Sequence, residues 1–140
     1  MKKDTLKILE ELNLCTDFKT FYHDNKQYMV SEELSEMLNR YLKEKGLKKS
    51  QVIKDSEISE VYAYQIFSGV RKPERNKLLC LTIALGLNID ETQTLLKCGG
   101  YSTLYAKIPF DSIILYGICK KLTVVEINTL LFNNDLETLG

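Results

Sequence analysis

The chain is poor in the residues that most often carry chemistry or brace a fold. Its 140 residues hold one histidine, His23, two prolines, Pro73 and Pro109, and no tryptophan. One histidine cannot build a metal cluster, and within the polar segment "FYHDNKQ" it reads as a solvated surface residue. Glycine-rich phosphate loops, nucleophile elbows and paired metal ligands are missing too. No catalytic residue, metal or cofactor is therefore expected, and the chain is not read as an enzyme. Charge of one sign is also lacking. Nineteen Lys and Arg balance nineteen Asp and Glu, so a nucleic-acid partner would have to be held by a local patch rather than by the field of the whole molecule. The sequence has no run of about eighteen apolar residues, and its Lys-rich start lacks an apolar signal segment. A soluble, cytoplasmic protein without a membrane partner is expected. The four cysteines, Cys15, Cys80, Cys98 and Cys119, form no CxxC pair and fit neither a zinc site nor a disulfide framework. Cys80 and Cys119 lie in apolar helical runs and are expected as buried, inert thiols.

What is present is helical periodicity. Leu34, Met37, Leu38, Tyr41 and Leu42 recur at the spacing of one buried stripe, with Ser31 as a cap, Glu32 and Glu33 at the positive end, and Gly46 as a stop. A short helix over about 49–56 turns Val52 and Ile53 inward. A third starts after Ile58, capped by Ser59, buries Ala63, Ile66 and Phe67, and ends at Ser68-Gly69. Glu60, Tyr62 and Gln65 fall nearer its opposite face. A leucine-rich helix follows Pro73 and stops at Gly86. Asp90 and Gln93 read as a capping box for a fifth, which closes at Gly99-Gly100.

A shift of 35 residues lays "LNIDETQTLL" from Leu87 on "LTVVEINTLL" from Leu122, and "NKLLCLTIALG" on "DSIILYGICKK". Thr123 with Glu126 reads as another capping box. Two similar helical hairpins are expected, the second over about 109–134 and packed on the first. In the first thirty residues, Leu6, Leu9 and Leu12 can line a short helix. The aromatics Phe18, Phe21, Tyr22 and Tyr28 imply docking on the body or on a second subunit.

Two short helices, a tight turn, a capped third helix ending in Ser-Gly, then "RKP" and a leucine helix: this arrangement, over about 31–99, resembles the lambda-repressor-like helix-turn-helix domain of the Cro/repressor (XRE) family. Its most specific stretch is "ISEVYAYQIFSGVRKPERNKLLCLTIALGLNIDE". The expected fold is all-α: an N-terminal helical arm over 1–30, a five-helix domain over 31–100 and a C-terminal helical hairpin extension over 101–140. The resemblance implies double-stranded DNA as partner, with the third helix in the major groove. Mapped on this chain, Lys49, Ser50 and Gln51 start the second helix, Ser59, Glu60, Val61, Tyr62 and Gln65 face the bases, and Arg71, Lys72 and Arg75 form a phosphate-gripping loop. Charge agrees, because Gly69 to Lys77 carries a net +3.

Two departures stand out. Glu57 occupies the inter-helix turn where the family usually has glycine, and Asp55, Glu57 and Glu60 gather at the start of the recognition helix. Those carboxylates, with the Tyr-rich run "VYAYQIF", open a second reading: an adaptor that keeps the scaffold and meets a protein partner through its third helix. Either reading requires Tyr62 or Tyr64 to be exposed. For DNA, a homodimer on two half-sites is expected, because one such domain offers few base contacts. The hairpin residues Ile113, Ile114, Ile118, Val124, Val125, Ile127, Leu130, Leu131 and Phe132 are the candidate dimer surface.

Overall fold

The computed structural model describes residues 4–26 and 33–140; the expected cap Ser31, Glu32 and Tyr28 lie outside the described residues. Among the described residues every regular element is a helix: α1 (Thr5–Leu14), α2 (Phe18–Asn25), α3 (Leu34–Glu44), α4 (Lys49–Asp55), α5 (Glu60–Ser68), α6 (Arg75–Ala84), α7 (Ile89–Cys98), α8 (Pro109–Cys119) and α9 (Val124–Asn133). None of them is long and apolar enough to cross a membrane. The chain divides into two compact units, Met1–Ser31 and Glu32–Gly140.

In the first unit, Asp4 and Asp17 cap α1 and α2 by accepting from the Leu6 and Lys19 amides. Thr20 also donates to Asp17 at 2.8 Å, and this bond is the main reason the Asp17 carboxyl titrates below its ordinary range. Phe21 is buried, with the Phe18 ring 5.9 Å away. Leu6, Leu9, Leu12 and Phe18 remain exposed.

In the second unit, the stripe of α3 buries Met37, Leu38, Tyr41 and Leu42, as its spacing requires. Helix α3 packs on α5 and α7, α4 on α5 and α6, and α6 on α7. Leu38, Ile66, Leu78, Leu79, Leu81, Leu95 and Leu96 are all shut from solvent where these helices converge. Truncating one of these leucines to alanine costs about 2–5 kcal/mol. The α4–α5 turn is fixed by Ser56, which is buried and donates to Ile53 O at 2.6 Å while accepting from the Ile58 amide. Glu57 follows it with φ 62°, a left-handed conformation that costs an ordinary side chain about 1–2 kcal/mol.

The shift of 35 residues carries helix onto helix and bond onto bond. It places α7, Ile89–Cys98, on α9, Val124–Asn133, and α6 within α8. Asn88 and Glu91 form a capping box, and Thr123 and Glu126 form the same box in the second copy. This corrects the expected Asp90–Gln93 box. Gln93 is used otherwise, as its side-chain amide donates to Leu104 O at 2.9 Å and accepts from the Leu104 amide at 2.8 Å. Its equivalent Asn128 accepts from the Leu139 amide at 2.8 Å. The turn bonds repeat as well: Leu87 N to Thr82 O and Leu122 N to Gly117 O, then Tyr101 N to Leu96 O and Leu136 N to Leu131 O.

Helix α8 packs on α9 and α7, and α9 also packs on α6. The α7–α8 and α6–α9 contacts exchange under the repeat, so each helix of one hairpin packs on the non-equivalent helix of the other. Both inter-helix turns open into one cavity of about 750 Å³, whose walls include the equivalent pairs Ile83 and Ile118, Leu87 and Leu122. Cys80 is buried, and desolvation pushes its thiol up to about 11. Cys119, expected to be buried, is exposed at the end of α8.

Candidate nucleic-acid interface

Helix α5 owes its placement to both ends. Ser59 accepts from the Tyr62 amide at the start, and Gly69, at φ 83°, ends the helix in the left-handed turn that glycine adopts without a Cβ penalty. Asn39 of α3 donates to Ser35 O and to Phe67 O, both at 2.8 Å, tying the last turn of α5 to α3. Ala63, Ile66 and Phe67 face the core. Helical spacing then leaves Glu60, Val61, Tyr64, Gln65 and Ser68 on one outer face. Together with Lys49 they line a shallow groove of about 520 Å³. Val61 is 71% exposed and Tyr64 40%.

Tyr62 is elsewhere. It is half-buried against the core, its hydroxyl accepts from the Glu74 amide at 3.2 Å, and the Arg71 guanidinium lies 4.5 Å over its ring. Expected to face the bases, Tyr62 instead holds the loop that leads to α6, and Tyr64 takes the open position. The sequence required Tyr62 or Tyr64 to be exposed but placed Tyr62 on the base-facing side, and it passed over Ser68. The signal was available in the spacing of Tyr64 and Ser68, four and eight residues after Glu60.

The loop after α5 presents cations on a defined backbone. The amides of Val70 and Arg71 both donate to Gln65 O, at 3.0 and 3.2 Å. Lys72 lies 5.1 Å over the Tyr101 ring, and the Tyr101 hydroxyl donates to Pro73 O. Burial raises the pKa of that hydroxyl, with the nearby Tyr62 and Glu74 adding to the effect, so it stays a donor. Arg71 and Lys72 are exposed, and among the described residues neither has an ion-pair partner.

Arg75 differs from them. It is the first residue of α6, and its guanidinium pairs with the buried Asp111 at 3.3 Å while donating to Ser102 O and Thr103 O. Expected in the phosphate-gripping loop, it is bound internally. The cation is held across the start of the second hairpin, where Asp111 also accepts from the Tyr105 amide at 2.9 Å.

At the other edge of the groove, the Lys49 ammonium lies 5.4 Å from the Phe67 ring. Ser50 is exposed, and Gln51 donates to Asp55 at 2.9 Å, which leaves one carboxylate oxygen of Asp55 outside that bond. Glu57 and Glu60 are exposed. The face therefore joins amide, hydroxyl and apolar groups, with Lys49 in its groove, Arg71 and Lys72 on the loop that follows α5, and carboxylates at the head of α5. No group of three His, Cys, Asp or Glu side chains that could hold a metal occurs among the described residues. Comparison with protein-family models, with curated proteins and with solved structures finds no match to the chain.

Proposed function

We propose that this protein is a cytoplasmic, sequence-specific DNA-binding transcriptional regulator of the lambda-repressor-like helix-turn-helix type, acting as a homodimer with α5 in the major groove of each half-site. One observation carries the reading: the outer face of α5, with Glu60, Val61, Tyr64, Gln65 and Ser68, is open, and the loop that follows it presents the exposed cations Arg71 and Lys72, which have no ion-pair partner among the described residues. Gln65 offers the donor and acceptor that adenine requires, and Val61 and Tyr64 suit a thymine methyl. Lys49, Arg71 and Lys72 supply sequence-independent attraction to phosphate. Arg75 and Tyr62 have internal roles and are left out of the contact set.

The test is fluorescence-anisotropy titration with a random-sequence duplex at two salt concentrations. Micromolar binding that weakens steeply with salt is expected, with log affinity against log salt falling by about 0.9 for each phosphate neutralised. Arg71→Ala and Lys72→Ala each flatten that slope by about one unit, while Gln65→Ala relaxes preference at one base position of a selected operator. No binding at low salt overturns the reading.

The second reading, a protein-binding adaptor, is favoured by the exposed Val61, Tyr64 and Val70, the last 78% exposed, beside Glu57 and Glu60. A carboxylate about 6 Å from a phosphate costs on the order of 1–3 kcal/mol at an effective dielectric of 20 to 40. Glu60→Gln therefore raises random-duplex affinity if α5 faces the backbone, and leaves it unchanged if α5 meets a protein.

A further inference from the structure

The internal repeat supplies a control for its own surface. The solvent-facing positions Asp90, Thr94 and Lys97 of α7 correspond to Val125, Thr129 and Phe132 of α9. All six are exposed, so neither set is needed for the core. Yet two charged residues of the first copy stand as Val125, 54% exposed, and Phe132, 74% exposed, in the second. Spaced four and then three residues apart, Val125, Thr129 and Phe132 form one stripe along α9.

We infer that this stripe is the surface on which a second copy of the chain docks, α9 against α9 across a two-fold axis. Three features favour a second copy over another partner. First, α9 carries a single charged residue, Glu126, which does not line the groove beside the stripe and is tied to the Thr123 amide at the start of the helix. Second, an isologous contact needs a projection and its receptacle on the same surface. Phe132 is the projection, and it borders a groove of about 480 Å³ lined by Ile58, Cys80, Val125 and Thr138 that can receive the Phe132 of the other copy. Third, the groove also holds Lys77 together with Glu57 and Gly140, so in an isologous contact the Lys77 of one copy can face the Glu57 of the other. Ile114, Val124, Ile127 and Leu131, counted among the candidate dimer residues from sequence, are buried in the chain's own core and are not available.

This inference deepens the dimer part of the proposed function and rests on it, but not on DNA. Ile58 and Glu57 belong to the turn that leads into α5, so the same contact would set the distance between the two α5 helices.

The experiment is sedimentation velocity on the full chain without DNA, from micromolar to hundreds of micromolar, for wild type, Phe132→Lys, Val125→Asp and the α7 control Lys97→Ala. Dimerisation of the wild type is expected. Phe132→Lys should raise the dimer dissociation constant about thirtyfold or more, as loss of a central aromatic anchor does. Val125→Asp should raise it as well, and Lys97→Ala should leave it unchanged. Phe132 and Val125 are exposed, so circular dichroism and thermal melts of their variants should match the wild type. A wild-type monomer throughout the range overturns the inference, as does a dimer indifferent to both α9 variants. The outcomes remain distinguishable from those for DNA: an α9 dimer that ignores random duplex sinks only the DNA reading, and a monomer that binds duplex with a salt slope sinks this inference and the homodimer part of the proposed function while DNA binding stands.

Discussion

The hairpins α6–α7 and α8–α9 follow one plan and differ in how they fill it. Capping box, turn bond, closing bond and side-chain tie to the following loop recur at the same shift. What changes is side-chain volume inside and polarity outside. The buried positions Thr82 and Thr92 of the first copy become Gly117 and Ile127 in the second. A Cβ on Gly117 would overlap Ile127, so the larger residue occupies what the glycine leaves vacant. Where the first copy has Gly86 at φ 68° and Gly100 at φ 79°, the second places Lys121 at φ 56° and Asp135 at φ 61°. Backbone bonding thus survives changes of core and surface that propensity alone would resist.

The comparison breaks most readily at Gly117. Gly117→Ala is expected to destabilise the protein by about 1–3 kcal/mol, read as a lower urea midpoint, because the added methyl has no space beside Ile127. Installing the first copy's pair, Gly117→Thr with Ile127→Thr, should then be less damaging than the sum of its two single changes. Additive losses would show that the positions do not compensate each other.

Two smaller effects follow. Lys121→Gly, which borrows the first copy's residue, should raise thermal stability by about 1 kcal/mol, since a left-handed residue loses its Cβ clash. The capping boxes give the finest comparison. Asn88→Ala and Thr123→Ala should each cost about 1 kcal/mol in denaturant titrations. Among the described residues the first box alone has a third partner, Lys45, 3.1 Å from Glu91. Partial burial works to raise the Glu91 pKa, but the bonds from the Asn88 amide and from Lys45 outweigh it and leave the carboxyl below its ordinary 4.5. With the folded value depressed, this stabilisation is present above about pH 4.5 and fades as pH falls through the lower folded value. Glu91→Gln should remove that part of the acid sensitivity and little else.

Much of this was written in the sequence, because caps and apolar stripes are local. The α3 stripe, the Ser59 cap and the Gly69 stop need only a few neighbouring residues, and each stands as its spacing required. The capping box before α7 was ambiguous, since Asn88 with Glu91 and Asp90 with Gln93 fit the same pattern; aligning the two copies, which puts Thr123 and Glu126 over the first pair, resolves it. Side-chain partners made at long range were not legible. Arg75 looked like part of a basic loop, and only its tertiary neighbour Asp111, far along the chain, removes it from that set. Tyr62 and Tyr64 share one chemistry within a single turn of α5, and the Glu74 amide decides which of them is turned away. The exposure of Cys119 depends on where α8 runs out, not on the apolar residues before it.

The tie between Arg75 and Asp111 limits how this protein can be taken apart. A transplant that carried only residues 33–100 into another host would include every helix from α3 to α7 and omit Leu104 and Asp111. It would leave a half-buried guanidinium without its carboxylate and the Gln93 amide without its loop. The segment that resembles a reusable module is therefore smaller than the piece that can be moved, and a workable graft has to take both hairpins together.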